Sequence, residues 1–212
     1  MNSTIRTPTR RAAGRDHDVV VVGGRCAGAA TAMLLARQGF NVLIVDRATF
    51  PSDTLSTHSF SRGGIVQLSR WGLLDAVVAS GAPMIRSASF HFGDTETLTR
   101  TIKDRAGVDH LLAPRRHVLD TILLSAAIDA GASFRSGVSV TGTVTDESGR
   151  VVGVTTRDSD GAHREIRATI VVGADGVHSR MARSVGARIL DARPSDAATF
   201  YAYFAGLDTD GF

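Results

Sequence analysis

Three features of this sequence predict an α/β fold built around a parallel sheet. A β-branched run, Asp18 to Val22, leads into the glycine-rich stretch Gly23-Gly24-Arg25-Cys26-Ala27-Gly28. From Cys26 to Gln38 small and apolar residues recur at helical spacing, and Gly39 is a suitable stop. A second apolar run, Asn41 to Val45, ends at Asp46. Strand, helix and strand within about 30 residues form one βαβ unit, whose crossover sets the two strands parallel.

The remaining elements follow in order. Phe50 to Ser61 reads as a loop dense in Ser and Thr, and Gly64 to Trp71 and Leu73 to Ala79 as helical pieces. Ala88 to Phe92 and Thr97 to Ile102 pair as strands around Gly93-Asp94. Arg115 to Ala130 is helical, because Val118, Ile122, Leu123, Ala126 and Ala127 recur at helical spacing and Gly131 stops the pattern. Strands are expected at Ser139 to Thr145, Val151 to Arg157 and His163 to Val172, with turns at Ser148-Gly149 and Asp160-Gly161. A helix is expected near Val177 to Val185, and Phe200 to Leu207 reads as a strand.

Composition narrows the class. A hydrophobic fraction of 43% and a charged fraction of 21% over 212 residues belong to an ordinary globular protein. That length buries a core without disulfides or a structural metal. Cys26 is the single cysteine, which excludes an intramolecular disulfide and fits a reducing compartment. No Cys and His spacing suggests zinc.

The net charge is +3, with Lys103 the one lysine and much of the excess at Arg6, Arg10, Arg11 and Arg15. That tail has no apolar stretch, so a disordered leader is preferred over a transit peptide or a nucleic-acid arm. No stretch approaches the roughly 20 apolar residues that span a bilayer. The expectation is a soluble, cytoplasmic protein with no nucleic-acid partner and no integral membrane segment.

The glycine turn has a physical task. A tight bend into a helix N-terminus presents backbone N–H groups and a positive dipole end to a pyrophosphate. Gly23 serves the turn, and Gly28 allows close packing of helix on strand. Asp46 stands at the strand end, where a carboxylate receives ribose hydroxyls. Its charge disfavours a 2′-phosphate, which argues against NADP in this site. Strand, turn, helix, strand and terminal acid together give a Rossmann-like FAD/NAD(P)-binding fold.

One position departs from the fingerprint. Arg25 replaces the second glycine of G-x-G-x-x-G, and its side chain either helps to neutralise phosphate or points into solvent. Cys26, at the helix N-terminus, has a redox or covalent role or simply fills a crowded turn; the second reading is preferred.

Three segments carry a resemblance. The run Val21 to Gly28, followed by Asp46-Arg47 and Phe50-Pro51-Ser52-Asp53-Thr54-Leu55-Ser56-Thr57-His58, resembles flavin-dependent monooxygenases of the aromatic-hydroxylase type and their geranylgeranyl-reductase-like relatives. Arg116-His117-Val118-Leu119 with Leu123 resembles that superfamily's Arg-x-x-Leu-x-x-x-Leu helix, whose arginine contacts the cofactor. By itself, Arg116 at a helix start is unfavourable in dipole terms, so it faces either a compensating anion or solvent. Val171 to Ser179, containing Gly173-Ala174-Asp175-Gly176, resembles the superfamily's Asp-Gly motif, which approaches the flavin side. Asp175 also suits a helix cap, and the two roles are compatible.

The resemblance implies FAD as cofactor and NAD(P)H as electron donor. It implies cofactor contacts at Gly23, Gly24, Arg25, Cys26, Ala27, Gly28, Asp46, Arg47, Arg116, Asp175 and Gly176. The expected reaction is hydroxylation of an apolar or aromatic small molecule with dioxygen; the alternatives are double-bond reduction, halogenation and a non-catalytic dinucleotide-binding module. No catalytic acid or base is assigned: His58, His178 and Arg62 read as structural or surface residues. The expected organisation is a leader over 1–16 and an FAD-binding domain over 17–185, with a β segment of the substrate domain inserted at 86–109. Residues 186–212 then begin a β-rich substrate domain. The superfamily's third motif, Gly-Asp-Ala, does not occur in these 212 residues, so self-association or a separate C-terminal half is expected to complete the fold.

Overall fold

A computed structural model describes residues 16–54, 59–193 and Gly206. In chain order the elements begin with β1 (His17–Val22), α1 (Cys26–Arg37), β2 (Val42–Val45), α2 (Arg62–Trp71) and α3 (Leu74–Ala79). Then come β3 (Met84–Ile85), β4 (Ser87–Phe92), β5 (Glu96–Thr101), β6 (Leu111–Leu112) and α4 (Arg116–Asp129). The last are β7 (Ser133–Arg135), β8 (Ser139–Thr145), β9 (Val151–Arg157), β10 (His163–Gly173) and α5 (Arg180–Ser184). These fall into two compact units, one from residues 16–54 and 117–187 and one from 59–116 and 188–193.

The first unit is a six-stranded sheet in the order β7-β2-β1-β10-β9-β8. β7, β2, β1 and β10 run parallel, with Val19 to Val22 opposite Val42 to Val45. β10 serves two sheet types along its length: His163 to Arg167 pair antiparallel with β9, and Ala168 to Gly173 pair parallel with β1. The predicted βαβ unit is therefore present, and β8 and β9 extend the sheet as an antiparallel meander.

The buried strands explain the apolar runs. Val19 to Val22 and Val42 to Val45 are all buried, because both faces of a central parallel strand are covered. Burying each such valine contributes roughly 1.5–3 kcal/mol. Helix α1 presents Ala29, Ala32, Met33 and Ala36 to this core at helical spacing. It stops at Gln38, and Gly39 follows at φ +85°, a conformation that glycine adopts without steric cost.

The second unit contains α2 and α3, the antiparallel pair β3–β6, and the hairpin β4–β5. The hairpin register sets Phe90 opposite Leu98 and Phe92 opposite Glu96. Phe90, Phe92 and Leu98 are all exposed.

Two expectations are adjusted. The helix expected from Val177 to Val185 runs only from Arg180 to Ser184, since Asp175 accepts the amides of Arg180 and Met181 and fixes the start there. β7, three residues long at the sheet edge, and the two-residue β3 and β6 are additional strands. The strand expected at Phe200 to Leu207, and the leader, lie outside the described residues apart from Gly206 and Asp16, whose amide donates to the Arg167 carbonyl at 3.2 Å. No helix among the described residues is long and apolar enough to cross a membrane.

Candidate functional site

The site forms at the C-terminal ends of β1, β2 and β10, where an open parallel sheet places its ligand crevice. Backbone geometry sets the turn. Gly23 donates to the Val45 carbonyl at 2.8 Å, and Ala174 donates to the Val22 carbonyl at 2.8 Å. Gly23 has φ +107°, and a Cβ there would meet the Ala174 carbonyl oxygen at 2.3 Å. The first glycine turn and the Asp-Gly segment are thus in backbone contact. Gly28 is equally constrained: a Cβ would lie 1.8 Å from the Gly23 carbonyl oxygen.

Asp46 is built into the turn. The Gly24 amide donates to its Oδ2 at 2.6 Å and the Ala48 amide to its Oδ1 at 2.8 Å. Each carboxylate oxygen has a second acceptor site, so the group retains capacity for two hydroxyl donors. The backbone of Asp46 is held as well, its N–H donating to Arg135 and its carbonyl accepting from Val138. Beside it, α1 begins with no side-chain cap and no acidic residue in its first turn. Its early amides therefore present a positive dipole end that the N-cap side chain does not satisfy. A fixed carboxylate next to an uncapped, glycine-approached helix start fits the ribose and pyrophosphate of a dinucleotide.

Of the two sequence readings of Arg25, the structure argues against the one that points it into solvent. Its side chain is neither in open solvent nor unpaired. Nη1 donates to Asp120 Oδ2 at 2.7 Å and to the Ser52 carbonyl at 3.2 Å, and Nη2 donates to Ser52 Oγ at 2.9 Å. The guanidinium also lies 5.5 Å from the centre of the Phe50 ring, which packs edge-on against Phe134. Cys26 is more than a small filler, because its thiol donates to Asp120 Oδ1 at 3.1 Å. Asp120 was not singled out by the sequence, yet it is fully buried in α4.

At the third segment, Asp175 is a helix cap. Its Oδ1 accepts from Ser179 Oγ at 2.6 Å and its Oδ2 from the Arg180 amide at 2.6 Å and the Met181 amide at 3.1 Å. Partial burial pushes its carboxyl up, but the Ser179 hydroxyl and the two amides outweigh burial and hold it below the usual carboxylate range. Ser179 in turn accepts from the Ala182 amide at 2.9 Å. Gly176, at φ +88°, is exposed, as are Ala27, Arg47 and His178.

Gly23 to Gly28, Asp46, Arg47, Asp175 and Gly176 all belong to the first unit; Arg116 opens α4 and belongs to the second. Arg62 donates to the carbonyls of Lys103 and Val108. His58 lies outside the described residues.

Fold and site together define a Rossmann-like dinucleotide-binding protein. The family model described as FAD binding domain matches residues 16–206, and the chain belongs to that family. It is similar to digeranylgeranylglycerophospholipid reductase 2 of Methanopyrus kandleri, 31% identical over 92% of this chain and 46% of that protein. It is also similar to aklavinone 12-hydroxylase RdmE of Streptomyces purpurascens, 31% identical over 81% of this chain and 35% of that protein. Among solved structures, a flavoprotein/dehydrogenase from Cytophaga hutchinsonii matches with TM-score 0.71 and 28% identity, over 80% of this chain and 42% of that one. The chain spans less than half the length of these curated relatives.

Proposed function

We propose that the chain supplies the FAD-binding half of a flavin-dependent oxidoreductase that acts on an apolar small molecule. One observation carries this reading: the 2.6 Å bond that fixes the Asp46 carboxylate to the amide of the glycine turn. It couples the ribose acceptor to the start of the pyrophosphate cradle. When bound, FAD supplies the electron-transfer chemistry that side chains cannot perform.

The chain's own residues bind and orient. The backbone from Gly23 to Gly28 meets the pyrophosphate, and Asp46, flanked by Arg47, receives the adenosine ribose. Asp175 and Gly176 take the further contacts that the resemblance assigns. Asp46 disfavours a 2′-phosphate in this crevice, so the NAD(P)H that donates electrons binds elsewhere.

Two reactions fit this site. Hydroxylation with NAD(P)H and dioxygen is supported by the similarity to a hydroxylase. Double-bond reduction is supported by the similarity to a lipid reductase over a larger share of the chain, 92%. Exposed Phe90, Phe92 and Leu98 suit self-association or docking of a C-terminal half.

The test is consumption of NADH or NADPH by the purified chain with FAD, in air and under anaerobiosis, with aromatic and isoprenoid substrates. Oxygen-dependent consumption with product hydroxylation supports the first reaction. Anaerobic loss of an isoprenoid double bond supports the second. A folded, FAD-loaded chain with neither activity would be a non-catalytic binding module.

A further inference from the structure

We infer that Asp120 is a positioning residue for the dinucleotide turn, and that it lets an arginine occupy the place of the fingerprint's second glycine. This rests on the reading that the turn receives the FAD pyrophosphate.

The argument starts from position 25. A glycine there lets the ligand approach the backbone closely, and a long cationic side chain would crowd that approach. Here the guanidinium is drawn away and held on Asp120, Ser52 and the face of Phe50. Asp120 also accepts the Cys26 thiol, so one buried carboxylate fixes two consecutive turn residues from a helix 94 and 95 positions away in sequence. A fully buried carboxylate is costly unless paired. Asp120 meets that condition through Arg25, whose side chain is 28% exposed. Arginine and aspartate are therefore a matched pair: the aspartate holds the guanidinium in place, and the arginine offsets the buried carboxylate.

The sign of the effect separates positioning from field. Removing a negative charge near a pyrophosphate would strengthen FAD binding by Coulomb's law alone. Positioning demands the opposite. On this account Asp120→Asn weakens FAD binding about tenfold, the loss expected when a charge-assisted hydrogen bond that orders the turn is removed. Adding Arg25→Gly to Asp120→Asn then restores the glycine that the fingerprint uses and removes the stranded guanidinium. Binding should return to within about threefold of the parent.

The experiment titrates FAD by flavin fluorescence into the parent, Asp120→Asn and the double variant, with far-UV circular dichroism on each. Equal or tighter binding by Asp120→Asn would overturn the inference, as would a double variant no better than the single one. Should Asp120→Asn fail to fold, the double variant, which lacks both charges, decides alone by binding FAD or failing to. If the parent binds no FAD, the proposed function fails and the single cysteine decides the inference instead. Cys26 should react about tenfold faster with a disulfide reagent in Asp120→Asn, because it loses its carboxylate acceptor beside a cation. An unchanged rate would refute the pairing.

Discussion

Replacing Gly28 by alanine should destabilise the chain, whereas the same change at Gly63 should not. At Gly28 the new Cβ would lie 1.8 Å from the Gly23 carbonyl oxygen and 3.2 Å from Val21 Cγ1. Backbone cannot swing aside as a side chain does, so α1 must retreat from β1 by at least about 1 Å. That retreat loosens Ala29, Ala32, Met33 and Ala36 against the sheet. Overpacking of this kind costs roughly 1–3 kcal/mol, and the lost close packing places Gly28→Ala at the upper end. Near 3 kcal/mol corresponds to a fall of about 6–12 °C in Tm for a chain of this length. With a urea m-value near 3 kcal/mol/M, the midpoint falls by about 1 M.

Gly63 is the control. It lies in the first turn of α2, and among the described residues its Cβ would meet only Ser61 Oγ, at 3.9 Å. Alanine there should be neutral or stabilising by up to about 1 kcal/mol from backbone entropy. Thermal and urea melts followed by circular dichroism compare the two. A Gly28→Ala melt within 2 °C of the parent, or a Gly63→Ala loss as large as that of Gly28→Ala, would refute the close-packing argument.

Two other consequences are checked with the same melts and a third by sedimentation. Ser179→Ala removes the cap on the Ala182 amide and a donor to Asp175, and should cost about 1 kcal/mol. Because the Asp175 carboxyl is held below its ordinary range, its contribution is complete above about pH 4 and is lost as pH falls through the lowered value. The stability gap between the parent and Asp175→Asn should therefore be full at neutral pH and narrow below about pH 4; a constant gap across that range would contradict the cause assigned. Sedimentation velocity should show concentration-dependent association that Phe90→Ser with Phe92→Ser reduces, the two rings sharing one exposed hairpin face.

How far the sequence was legible depended on the range of the interactions. β1, α1 and β2 were readable because a buried parallel strand writes a continuous apolar run and a packed helix writes a 3.6-residue period. β8 and β9 have the expected bounds, marked by turns at Gly149 and Gly161 with positive φ. β7 escaped because Ser133, Phe134 and Arg135 are too few to display a period, and its two polar residues are exposed at the sheet edge. The two-residue strands β3 and β6 escaped for the same reason.

At the site, the carboxylate after β2 was legible because its role follows from its place in the βαβ unit. The partner of Arg25 was not, since the contact spans 95 residues. Asp120 did leave a signal. It interrupts the apolar stripe of α4, sharing a face with Leu123, Leu124 and Ala127, all buried. A charge at such a position calls for an opposite charge elsewhere, without saying which.

The most direct measurement is titration of FAD into the parent chain and into Asp46→Ala, read by flavin fluorescence and visible absorption. The parent should bind stoichiometrically with a perturbed flavin spectrum. Asp46→Ala, still folded by circular dichroism, should bind at least about tenfold more weakly, because a charged acceptor of the ribose hydroxyls is lost. A folded parent that leaves the FAD spectrum unchanged at high micromolar concentration would contradict the assignment of this crevice, and so would an Asp46→Ala chain that binds as tightly as the parent.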